Sequence, residues 1–147
     1  MATWKEFEAD APEFATRVAT AMTRNKHMTM ATLRTDGSPR ISGTEIQIED
    51  GELRLGSMPN ARKALDLLRD PRVAIHGPTA DPPEDHKEWI GEAKVAGHVE
   101  VLPSDDDSHQ FRVEISEVAL THLNDAGTHL VIESWHPGRG LELVERE

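Results

Sequence analysis

The chain has 147 residues, 37% of them hydrophobic and 29% charged, which fits a single soluble globular domain over residues 1–147. Its net charge of −11, from 27 acidic and 16 basic residues, argues against a nucleic-acid surface and disfavours docking on an anionic membrane. There is no cysteine for a disulfide or thiolate site, no apolar run of about 18 residues and no secretory pattern at the N-terminus, so the expected compartment is the cytoplasm.

Along the chain, DAPEFATRVATAMTRN predicts an amphipathic helix. Asp10 is its candidate N-cap, and Pro12 stands in the first turn, where a missing N–H costs nothing. Phe14, Val18, Ala21 and Met22 recur at three- and four-residue spacings. HMTMATLR is then β-rich, and Asp36-Gly37 gives a hairpin turn. PRISGTEIQIE resumes, with Ile46 and Ile48 alternating against Glu45 and Gln47. Asp50-Gly51 turns the chain again, and ELRLGS alternates Leu53 and Leu55 with polar neighbours. These three strands read as an antiparallel meander.

A second helix follows, its apolar stripe marked by Ala61, Ala64, Leu65 and Leu68 and its end by Pro71. RVAIHG predicts a buried strand, and Pro78 to Trp89 a Pro-rich loop. GEAKVAGHVEVL and QFRVEISEVALTHL are two strands around the PSDDDSH loop. HLVIESWHP and LELVER close the chain as a strand or hairpin. The fold class is mainly β with small α content. Six or more strands suit an antiparallel barrel, because closure removes exposed edges.

The usual catalytic signatures are missing. The eight histidines, His27, His76, His86, His98, His109, His122, His129 and His136, form no H-x-H, H-x-x-x-H or H-E-x-x-H pair, so no metal site is expected. Ser57 and Ser134 lack a nucleophile-elbow context. DDDSH lacks the glycine and distal glutamate of a calcium loop, and no phosphate-binding glycine motif occurs.

One stretch stands out. In GSMPNARKALDLLRDPRVA, Arg62 and Lys63 occupy the first turn of a helix, where the helix dipole disfavours cations. Helix N-termini bind anions through free N–H groups, so a phosphate held beside Ser57 would make both cations favourable. Equally, both could point to solvent, with Arg62 pairing to Asp66 four residues on. The residues alone leave these two readings open.

The ordered set HMTMATLRTDGSPRIS, DGELRLGS and ARKALDLLRDPRVA resembles the pyridoxamine 5′-phosphate oxidase-like family, the FMN-binding split barrels. The resemblance runs well from Met28 to His76 and more weakly to ESWHPGRGLELV. It implies a six-stranded antiparallel split β-barrel with an N-terminal helix and a helix between strands 3 and 4. It also implies a homodimer with flavin-type cofactors at the subunit interface.

By that resemblance Ser57, Arg62 and Lys63 hold the cofactor phosphate, and the strand carrying Arg40, Ser42, Gly43 and Thr44 runs beside the ring system. A β-bulge is the plain alternative for Gly43. Trp135 and Arg139 resemble residues presented by the partner subunit. Their ordinary alternatives are a core or interface aromatic and a turn decoration.

The chain ends in GRGLELVERE, with Glu142 and Glu145 where the true oxidase needs a cationic substrate site, so vitamin B6 oxidation is not expected. The resulting expectation is an oxidoreductase that transfers hydride or electrons through FMN, or alternatively a 5-deazaflavin coenzyme, to a small molecule. Arg24 and Lys26 could begin the cationic track that a polyglutamate-tailed deazaflavin needs, or only complement the C-terminal end of the first helix. The competing expectation is a non-enzymatic flavin- or haem-binding storage protein. No catalytic side chain is assigned, because in the first case the cofactor carries the chemistry.

Overall fold

The structure, a computed structural model, describes residues 1–147. Two tight hairpins build its first half. β1 (Met28–Leu33) and β2 (Pro39–Thr44) pair across the Asp36-Gly37 turn. β3 (Ile46–Glu49) and β4 (Glu52–Ser57) pair across Asp50-Gly51, whose φ values of 53° and 74° match a hairpin turn with two left-handed residues. The single strand expected from Pro39 to Glu49 therefore divides at Glu45. Its first part serves β1 and its second part serves β4.

That division closes the barrel. With β5 (Arg72–His76), β6 (Glu92–Leu102) and β7 (His109–Leu123), the sheet order is β2-β1-β5-β6-β7-β4-β3. β2 runs directly into β3, so the two ends of this path are one stretch of chain and the sheet forms a ring of six staves. The expected six-stranded split barrel is what the structure shows, with nine strand segments once the break and the closing hairpin are counted separately.

β7 is longer than the barrel needs. Its first half pairs with β4, and its second half carries β8 (Leu130–His136), which in turn pairs with β9 (Gly140–Arg146). A bulge between Ala96 and Gly97 lets β6 follow β7 along both halves. Gly97 is required there: a Cβ would lie 1.9 Å from the Glu114 carbonyl oxygen.

The N-terminus differs from expectation. α1 (Trp4–Asp10) precedes α2 (Pro12–Thr23), and Asp10 ends the first helix instead of capping the second, whose N-cap Ala11 makes no side-chain cap. α1 begins with a reciprocal cap in which Thr3 accepts from the Glu6 N–H and Glu6 accepts from the Thr3 N–H. Its Trp4 and Phe7 pack with Phe14 of α2 and Trp135 of β8, with ring centroids 4.8–5.9 Å apart. This aromatic cluster joins a continuous core including Leu53, Leu55, Phe111, Ile115 and Leu120. No helix is long and apolar enough to cross a membrane.

Candidate cofactor site

The site is built on α3 (Arg62–Arg69), which links β4 to β5. The expected apolar stripe places this helix only in part. Ala64 and Leu67 are buried, but Leu65 and Leu68 stay 45% and 48% exposed, and Asp66 is buried in their stead. The reason is ionic. The Asp66 carboxylate accepts from Arg40 Nε of β2 at 2.7 Å, from Thr32 Oγ1 of β1 at 2.7 Å and from Arg69 at 3.3 Å. Arg69 also donates to the Leu33 carbonyl. These bonds turn the polar side of the helix toward the barrel. Burial pushes the Asp66 carboxyl up, but the hydrogen bonds from Arg40, Thr32 and Arg69 outweigh it and hold it below the ordinary value.

The suggested Arg62–Asp66 pair is therefore absent. Arg62 is exposed and has no hydrogen-bond or ion-pair partner. Lys63 turns toward the barrel, and its Nζ donates to the Gly43 carbonyl at 2.7 Å. This bond brings together α3 and β2, two segments far apart in sequence. The β1–β2 register passes through Gly43 without a bulge, Gly43 facing Thr29, so the bulge alternative is excluded. A Cβ at Gly43 would meet nothing within 4 Å, which leaves its backbone open to a flat ligand.

The other expected residues divide into two groups. Ser57 is buried at the end of β4, its hydroxyl donating to the Met58 carbonyl at 3.3 Å. Ser42 is half-buried and Thr44 buried on the inner side of β2. Arg40 uses only Nε, on Asp66, and its two terminal amino groups have no partner in the chain. These residues share the β2–β4–α3 region. Trp135 lies elsewhere, 2% exposed in the aromatic core with its indole N–H donating to Asp10 at 2.7 Å. Arg139 is exposed in the β8–β9 turn, held by Glu142 at 3.2 Å. Within one subunit neither joins the α3 cluster.

Sequence reasoning missed Asp66, Thr32 and His109. His109 Nε2 accepts the backbone N–H of Asn60, which takes a left-handed φ of 60° just before α3. The available signal for Asp66 was a lone acid inside an apolar helical window. A further cavity of about 400 Å³ lies between α2, His86–Ile90 and His122–Asp125, and none of the expected residues lines it. No group of histidine, aspartate and glutamate side chains is arranged to hold a metal ion.

Known proteins place this architecture. The family model for pyridoxamine 5′-phosphate oxidase matches residues 14–134. No match is found among curated proteins. Among solved structures, the chain is similar to a pyridoxamine 5′-phosphate oxidase-related, FMN binding protein of Nostoc punctiforme PCC 73102. That pair is 10% identical, with a TM-score of 0.66 over 93% of this chain and 96% of the other. A heme binding protein from Mycobacterium smegmatis is 15% identical, with a TM-score of 0.54 over 88% and 86%. A protein of unknown function from Agrobacterium tumefaciens str. C58 is 19% identical, with a TM-score of 0.55; 71% of this chain is covered, and it spans only 55% of that longer protein. At these identities the structural likenesses carry the fold alone. The family-model match over most of the chain carries more: the chain belongs to the pyridoxamine 5′-phosphate oxidase family.

Proposed function

We propose that the protein is a homodimeric oxidoreductase that binds FMN at the β2–β4–α3 region and acts on a small molecule. The observation that carries this reading is the Lys63–Gly43 hydrogen bond beside the unpaired Arg62. It puts the Lys63 ammonium at a strand whose backbone is open to a flat ring system, with Arg62 next to it in the chain and free to pair. In a chain of net charge −11, an unpartnered cation on the first turn of a helix is best satisfied by a bound anion.

The residues fit such a cofactor. Arg62, Lys63 and Ser57 would hold the phosphate, and Ser42, Gly43 and Thr44 would flank the ring. Bound flavin would supply the hydride or electron transfer, and the chain's own part is to neutralise the phosphate and orient the ring. Assembly as a dimer is supported by exposed apolar side chains on and beside these elements: Ile41 of β2 at 77%, Met58 just after β4 at 78%, and Leu65 and Leu68 of α3. In the dimer Arg139, exposed in the β8–β9 turn, would meet the partner's cofactor, whereas Trp135, buried in its own subunit's aromatic core, would serve as a core aromatic. Arg139 is already engaged by Glu142, which supports a substrate other than the vitamin B6 phosphate.

The test is a titration with FMN and, separately, with a 5-deazaflavin coenzyme and with haem, following absorbance or ring fluorescence together with the melting temperature. Saturable FMN binding, with reduction of the bound flavin by a pyridine nucleotide, is the expected result. Binding of FMN without turnover would make the protein a carrier. Exclusive binding of deazaflavin or haem would reassign the cofactor.

A further inference from the structure

We propose that Asp66 is a positioning residue of the phosphate site, orienting Arg40 and seating α3 so that the cations above it face the anion. This rests on the phosphate reading of Arg62 and Lys63. A carboxylate one helical turn below those cations would ordinarily repel a phosphate. Here its charge is taken up from three sides, by Arg40 and Arg69 and by the Thr32 hydroxyl.

The consequence falls on Arg40. Its side chain is only 18% exposed, its Nε is fixed on Asp66, and both terminal amino groups are without a protein partner. A guanidinium anchored by one edge keeps its remaining N–H donors in a set direction, which suits recognition of an oxyanion. The same carboxylate ties α3 to β1 and β2, and one turn earlier Lys63 reaches the β2 carbonyl of Gly43. Asp66 thus fixes the register between the helix that carries two cations and the strand that carries the third.

Asp66→Asn separates this role from simple electrostatics. Removing a nearby negative charge should tighten phosphate binding if Asp66 acts only through its field. If it positions Arg40 and α3, binding should weaken, because the amide cannot hold the Arg40 Nε–H with a full charge. Affinity for FMN and for riboflavin, which has the same ring and side chain without the phosphate, is measured on wild type and variant. The expected result is an FMN affinity lowered about tenfold, the loss of roughly one charge-assisted hydrogen bond, with riboflavin affinity unchanged.

Tighter FMN binding, no change, or an equal loss for both ligands overturns the assignment. Should Asp66→Asn not fold, Thr32→Val removes one support while keeping charge and shape, and a smaller loss confined to FMN is expected. An equal loss for both ligands there overturns the assignment too. A wild-type protein that does not prefer FMN to riboflavin would instead refute the phosphate reading, and the inference with it.

Discussion

Arg62 and Lys63 differ in what they give up to a ligand. Arg62 has no partner to lose, whereas Lys63 must share or release the Gly43 carbonyl. Replacing both with alanine should lower FMN affinity at least a hundredfold, since each charge-assisted contact is worth about 1.5–3 kcal/mol. Without ligand the melting temperature should move by less than about 2 °C, because neither side chain is buried in the core. Spectroscopic titration beside thermal unfolding checks both halves of this expectation. Glu133 shows the opposite balance. It is 8% exposed on β8, accepts two bonds from Arg17 of α2 and lies 2.8 Å from His122 Nε2. Glu133→Ala should cost about 2–3 kcal/mol in denaturant unfolding, below the range for a fully buried pair because Arg17 is half exposed. The cations of the site were legible from residue type and place in the helix. The buried acid beneath them was not, since its partners Thr32 and Arg40 lie on strands that only the fold brings near.

The hairpins were legible because Asp-Gly turns and alternating side chains are local signals, and both turns stand where the sequence puts them. The split of the strand at Glu45 was not, because no residue there breaks β structure by its own preference; closing the ring demands it. α1 was missed although Thr3 and Glu6 form a capping box, its seven residues, about two turns, being too short to show a periodic stripe. The exposed Leu65 and Leu68 show how far amphipathic spacing can mislead when an ion pair decides which side of a helix faces inward. The bulge in β6 is an element-scale constraint of another kind. Gly97→Ala would force a methyl against the Glu114 carbonyl, and should cost at least about 3 kcal/mol or prevent folding, as read by circular dichroism and urea unfolding.

For the whole molecule, acid should be the weak side. Asp70 is lowered from 3.8 to about 2, chiefly by its hydrogen bonds with Arg72, and Asp66 and Glu133 are lowered as well. Groups with a depressed folded-state pKa stabilise above their unfolded value and lose that contribution as pH falls toward the folded one. Melting temperature should therefore be level above about pH 5 and fall steadily between about pH 4 and 2. If the apolar side chains around α3 meet a second copy, Leu68→Glu should shift the protein to monomer in light scattering while leaving circular dichroism unchanged. The shared closing strand sets the order in which the ring can assemble. The β1–β2 and β3–β4 pairs join near neighbours, but sealing the barrel requires β4 to find β7, with Arg54 opposite Arg112 and Ser57 opposite His109. Long-range pairing pays loop-closure entropy before it gains contacts, so it comes late in folding. In pulse-labelled refolding, amides of the two hairpins should gain protection first, and a nascent chain would hold both without a closed barrel until β7 leaves the ribosome.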